Sequence, residues 1–263
     1  MFISMKHITS TKLLNLGRLG NQLFIISAAL AYGREHHCKV TFPDWKYREF
    51  LETADPSLQT LIPPGIHRHC LPWVTYKEPQ PYHYAPIQSS ENWIDLYGFF
   101  QSETYFKSQE TVIRQAFRPK PEIRTSLLNK YQRILSENPV SLHIRRGDRE
   151  NSASLASQYY TEAISRFDKN RAYLLFSDDP EWCRYHCRFL SKNLTVVSGQ
   201  SEFEDLILMS LCQDHITANS TFSWWGAWLS TFPSKRVLTP KNWIFLPDVT
   251  QTDLIPNSWE VIS

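Results

Sequence analysis

Four polar clusters carry residue types and spacings that could do chemistry. His143-Ile-Arg-Arg-Gly-Asp148 closes the run VSLHIRR. Two adjacent arginines beside a glycine turn suit a diphosphate, because a planar guanidinium makes paired bonds to phosphate oxygens. Side chains alternate along a strand, so His143 and Arg145 share one face and Arg146 takes the other. A surface strand end with acid-paired arginines would read the same way. Ser177-Asp-Asp-Pro180 follows AYLLF. A carboxylate there accepts either from a base N–H or ribose hydroxyl, or from a helix start, since Asp before Pro is a common cap. Asp178 and Asp179 can divide those two tasks. The third cluster is Asn219, Ser220, Thr221, Phe222 and Ser223, ahead of Trp-Trp-Gly-Ala-Trp228. Small hydroxyl residues at a helix N-terminus offer side-chain donors and unpaired backbone N–H groups to an anion. The tryptophans read as packing rather than base stacking. The fourth cluster is the loop Gly17-Arg-Leu-Gly-Asn-Gln22, where Arg18 and Asn21 have little local reason to be polar.

The elements that must hold these clusters follow from pattern. A strand over 8–16, the tight loop, an apolar helix from Leu23 to Arg34 and a strand at Lys39–Pro43 make a βαβ opening. Residues 44–90 are Pro-rich and aromatic, and predict irregular structure with short helices. A strand spans 92–100. Helices cover Glu103–Phe117 and Glu122–Leu135, and the Pro119/Pro121 stretch between them is the best domain boundary. From 139 onward strands and helices alternate: strands Val140–Arg145, Ala172–Phe176, Leu194–Val197, His215–Ala218 and Arg236–Thr239, with helices near 157–167, 180–190, 202–212 and 222–230. Ser201 and Glu204 have capping-box spacing. That alternation predicts an α/β chain with a parallel sheet covered by helices. Ligands of such sheets bind at the carboxyl ends of the strands, where three of the four clusters fall.

Composition narrows the function. The chain has 263 residues and a net charge of +2, from 28 Lys+Arg against 26 Asp+Glu. So balanced a charge argues against a protein that coats nucleic acid. Glycine is scarce at 8, and neither the phosphate-loop motif nor the G-x-G-x-x-G turn is present. Five widely spaced cysteines do not make a disulfide framework and point to a reducing compartment. No apolar run reaches the roughly 20 residues of a membrane span. No signal-peptide pattern stands at the N-terminus. These features predict a cytoplasmic protein. Cys183-x-x-His186-Cys187 looks metal-like, but it lies within one helix and lacks a distant partner pair. No D-x-D pair occurs, and no metal is expected.

In this order, the clusters resemble the inverting fucosyltransferases of the α-1,2 type, glycosyltransferase family 11. The matching stretches are GRLGNQLF (17–24), YGFFQSETYF (97–106), VSLHIRRGD (140–148), LLFSDDPEWC (174–183), ANSTFSWWGAWLS (218–230) and LTPKNW (238–243). The resemblance implies a GT-B-like fold, two Rossmann-like halves with parallel sheets facing a cleft. Residues 1–120 would form the acceptor-side domain and 121–263 the GDP-sugar domain, with the last residues packing back on the first. It implies transfer of L-fucose from GDP-fucose to the 2-hydroxyl of a galactose-type glycan acceptor, without cofactor or metal. By the same resemblance Arg145 binds the donor phosphates, supported by Arg146. His143 and one of Asp178 and Asp179 read guanine or ribose. Thr221 and Ser223, with the 219–223 backbone, complete the phosphate cradle, and Arg18 and Asn21 line the cleft from the other half. Asp148 is either the general base or the group that orients Arg145, with Glu103 and Asp95 as fallbacks. Arg18 stands where the family commonly has glycine, which leaves the acceptor class open. Another GDP-sugar or linkage, protein O-fucosylation, and a non-catalytic GDP-sugar-binding module are the alternatives. A lipid-carried acceptor would bring the protein to the inner face of the membrane as a peripheral partner.

Overall fold

The computed structural model describes residues 6–52, 72–146, 157–241, 243 and 253–262. The chain divides into two compact units, Met1–Lys120 with Thr250–Pro256, and Pro121–Val249 with Asn257–Ser263.

In the first unit, four parallel strands stand in the order β2-β1-β4-β3. They are β1 (His7–Thr9), β2 (Lys39–Val40), β3 (Val74–Lys77) and β4 (Trp93–Tyr97). The strand expected over 8–16 stops at Thr9. Thr11 instead donates its backbone N–H and its hydroxyl to the two oxygens of Asp95 on β4, each at 2.8 Å. The helix runs Leu19–Glu35, one turn earlier than the apolar run suggests, so Gly20, Asn21 and Gln22 form its first turn. Gly17 makes that entry possible. Its φ of +77° is left-handed, and a Cβ there would collide with the Asn21 side chain. Leu23 through Ala31 are all buried, which explains a helix with almost no polar face. Strand β3 was not legible within the Pro-rich stretch, because it is short and half exposed. The helix expected over 103–117 breaks into single 3-10 turns at Glu103–Tyr105 and Lys107–Gln109, and only Glu110–Ala116 is α-helical. Phe106 leaves helical geometry (φ −140°) with its ring fully buried near Phe24.

In the second unit, six parallel strands stand in the order β10-β9-β8-β5-β6-β7. They are β5 (Val140–Ile144), β6 (Tyr173–Ser177), β7 (Leu194–Val196), β8 (Asp214–Ile216), β9 (Val237–Pro240) and β10 (Glu260–Ile262). Helices Ser157–Ser165, Pro180–His186, Glu202–Ser210 and Thr221–Leu229 connect or flank them. Every residue of β5 is buried, as a central parallel strand requires. The capping box at Ser201 and Glu204 forms as its spacing predicts. The final strand β10 was not anticipated; three residues paired with β9 carry too little pattern to read. Trp224, Trp225 and Trp228 are buried and pack on one another, with Trp259 beside Trp224.

Both sheets have a topological switch point. In the first, β1 is followed by β2 on one side while β4 borders it on the other. In the second, β5 is followed by β6 on one side while β8 borders it on the other. At such points the connections diverge at the carboxyl ends and leave a crevice, the usual ligand position of open α/β sheets.

Candidate functional site

At the switch point of the second sheet, residues from two strand ends meet. Beyond β5 come Arg145 and Arg146; beyond β8 come Thr217 to Ser220 and then the helix from Thr221. Ser220 caps that helix, its hydroxyl accepting from the Phe222 N–H at 3.3 Å. Ser223 is 1% exposed, and its hydroxyl is committed internally. It accepts from the Ala218 N–H at 3.2 Å, contacts the Ser220 carbonyl at 3.2 Å and shares a 2.9 Å bond with His143 Nδ1. So Ser223 holds the 218–220 turn in shape, and Asn219 and Ser220 are buried with it. The His143 ring also lies 5.7 Å from the Phe222 ring. His143 and Ser223 thereby tie strand end to helix N-terminus.

Arg146 lies on the other side of β5, as alternation predicts. Its backbone N–H donates to Asp178 Oδ1 at 2.8 Å, and its Nε is 3.7 Å from Asp179 Oδ2. Its guanidinium sits 3.4 Å above the Trp182 ring. Asp179 is the helix cap, accepting from the Trp182 N–H at 3.1 Å, while Asp178 holds the Arg146 backbone. Of the two tasks open to these aspartates, Asp179 takes the cap. Arg145 directly follows β5, and its backbone bonds the buried Tyr160 hydroxyl, whose pKa burial pushes up. Asp148 lies outside the described residues.

Cys183 and Cys187 are buried, whereas His186 is exposed and stacks on Trp182 at 4.6 Å. The two thiols hydrogen-bond each other, while the exposed His186 ring lies on Trp182 instead, so the three side chains do not converge on one point. Burial pushes the Cys183 thiol up to about 12. Among the described residues, no cluster of three His, Cys, Asp or Glu side chains could hold a metal.

At the switch point of the first sheet, Arg18 is the exposed N-cap residue of the helix, and its side chain does not cap it. Asn21 Oδ1 accepts from Gln101 Nε2 at 2.9 Å, which joins the helix start after β1 to the loop after β4. Gln22 bonds the Gly17 carbonyl and accepts from Trp45 Nε1 at 2.8 Å. Glu78, just past β3, accepts from the Phe99 and Phe100 N–H groups at 2.7 and 3.0 Å and pins the loop that carries Gln101. Burial pushes the Glu78 pKa up against the opposing pull of those two bonds. Asp95, 2% exposed with both oxygens accepting from Thr11, is a loop anchor rather than a base. Glu103 is paired with Lys107 at 2.9 Å.

Gln101, Glu78 and Trp182 were not singled out from sequence. Gln101 and Trp182 lie inside stretches already marked by their motifs. Glu78 sits in the Pro-rich region and had no signal.

Comparison with known proteins adds to this geometry. The family model described as glycosyl transferase family 11 matches residues 12–260. An α-1,2-colitosyltransferase of Escherichia coli is 32% identical over 180 residues, covering 63% of this chain and 61% of that protein. The Escherichia coli O-antigen biosynthesis glycosyltransferase WbnK is 34% identical over 168 residues, 56% of this chain and 54% of that protein. Galactoside α-(1,2)-fucosyltransferase 1 of Alouatta belzebul is 26% identical over 168 residues, 56% of this chain and 45% of that protein. The matches thus span about half to three fifths of the relatives' length. Among solved structures, a mutant of Arabidopsis thaliana FUT1 in complex with GDP superposes with a TM-score of 0.58 at 11% identity, over 91% of this chain and 72% of that one. The NodZ α-1,6-fucosyltransferase soaked with GDP-fucose gives 0.54 at 15% identity, over 86% and 92%. The fold is GT-B-like, with two parallel α/β sheets.

Proposed function

The chain belongs to glycosyltransferase family 11, and on that premise we propose that it is an inverting fucosyltransferase, moving L-fucose from GDP-fucose to the 2-hydroxyl of a galactose-type glycan acceptor. One observation carries the reading. A strand end with two arginines and a capped helix N-terminus flank the same switch point, β5 against β8. A nucleoside diphosphate needs both a cationic contact and backbone N–H donors.

In the proposed reaction the acceptor oxygen bonds to C1 of fucose while the C1–O bond to the β-phosphate breaks. GDP leaves with the electron pair, and the acceptor proton passes to a base. Negative charge grows on the β-phosphate in the transition state. Arg145 and the helix N-terminus at 221–223 stabilise it where it develops. His143 and Asp178 serve the guanine or ribose, and Arg18 and Asn21 serve the acceptor side. Asp148 takes the proton or orients Arg145. Asp148→Asn separates these roles: intact GDP binding without transfer assigns the base, and lost GDP binding assigns the orienter. No metal takes part in this scheme, and none is needed where guanidinium and amide groups meet the diphosphate. The protein works on glycans in the cytoplasm, without nucleic acid. No helix among the described residues is long and apolar enough to cross a membrane.

Similarity to the α-1,2-colitosyltransferase supports a second reading, the same site with another sugar donor. Donor competition tests both. GDP-fucose, offered with an excess of other GDP-hexoses and lactose, should yield only fucosylated product by mass. Transfer of another sugar in preference would overturn the fucose assignment.

A further inference from the structure

Arg146, the neighbour of Arg145 in sequence, is held by groups of the helix that follows β6. Three contacts fix Arg146: the backbone bond to Asp178, the ion pair with Asp179 and the indole of Trp182. The indole is itself fixed, because the His186 ring stacks on it with planes 22° apart. Trp182 also donates its backbone N–H to Asp179, so both partners of the guanidinium belong to one helical turn. The resulting stack runs from the β5 strand end through Trp182 to His186.

We infer that Trp182 is the positioning residue for Arg146, and that the pair serves donor binding rather than transition-state stabilisation. This rests on the GDP-sugar reading above. A guanidinium whose Cζ lies 3.4 Å over an indole and whose charge is already countered by Asp179 has less to offer to charge that grows later on the leaving group. Its contribution should be the same in the bound donor and at the transition state, which changes KM and leaves kcat alone. Arg145 should show the opposite pattern. A flat π face is what the contact requires, since the attraction comes from the ring quadrupole and the match of two planes.

The test compares Trp182→Leu, which fills much of the volume without a π face, with Trp182→Phe, which keeps one. Trp182→Leu should raise the donor KM about tenfold with kcat within about threefold of wild type. Trp182→Phe should restore KM to within about threefold. Arg146→Ala should match Trp182→Leu, and the double variant should be no worse than Arg146→Ala alone, as expected of residues acting through one contact. Should Trp182→Leu fail to fold, Arg146→Lys asks the same question, because lysine keeps the charge and loses the plane. An unchanged KM in Trp182→Leu (or in Arg146→Lys), additive losses, or a fall in kcat alone overturns the inference. GDP titration of the wild type by calorimetry separates the two levels. A wild type that binds no GDP overturns the donor reading and this inference with it. One that binds GDP while the variants match it overturns only the inference.

Discussion

Arg145 is the residue on which the proposed chemistry leans hardest. Arg146 is held by Asp179 and Trp182, and Ser223 by its own turn, and the proposed reaction assigns the growing phosphate charge to Arg145 and the helix N-terminus. Arg145→Ala should lower kcat at least about 10²-fold. Initial rates at saturating donor check this, and near-normal turnover would remove Arg145 from that role. Asp205 supplies a test of a different kind. Burial, with Glu204 beside it and Lys130 opposing, pushes its carboxyl up to about 7, and Oδ1 is buried without a hydrogen-bond partner. The fold therefore favours the protonated acid. Below the ordinary pKa of 3.8 the carboxyl is protonated in both the folded and the unfolded chain, and there is no penalty. The penalty grows as pH rises from there and is complete above about 7. Asp205→Asn should stabilise the protein at pH 8 by on the order of 2 kcal/mol and make little difference at pH 4. Denaturant melts at the two pH values decide it.

At the scale of elements, helices Glu202–Ser210 and Thr221–Leu229 pack closely on each other, and Gly226 is where they approach. A Cβ on Gly226 would run into the Met209 side chain from its Cβ outward. Gly226→Ala should cost about 1–3 kcal/mol through overpacking. Adding Met209→Ala should return part of that loss, and a double-mutant cycle by thermal melting reads the coupling. Failure to couple would show that the helices meet elsewhere. This scale also shows what the sequence could and could not reveal. The alternating second half was readable because its helices carry caps, such as Ser201/Glu204 and Asp179–Pro180, and short β-rich stretches such as VSLHI and YLLFS alternate with them. The Trp cluster was correctly read as core. The first half was harder. A three-residue strand such as β1 and a half-exposed one such as β3 carry little periodicity. The broken helix near Phe106 follows from one ring's burial, which is a tertiary cause. Among site residues, Arg145, Arg146, Asp178 and Asp179 stood out by type. Gln101, Glu78 and Trp182 did not, because their importance lies in which distant residues they touch.

Over the whole molecule, each of the two units repeats one design: a parallel sheet, a switch point and a helix start placed at that crevice. In the first unit Asn21 and Gln101 join the two sides of the crevice; in the second His143 and Ser223 do so. The central claim is metal-free, acceptor-dependent transfer from a GDP-sugar. The most direct measurement is GDP release from GDP-fucose in EDTA, with and without lactose. Lactose should raise the rate at least about tenfold over water hydrolysis, with a fucosylated lactose as product, and EDTA should leave that rate unchanged. Release that needs a divalent ion, or an absence of both release and GDP binding, would contradict the account.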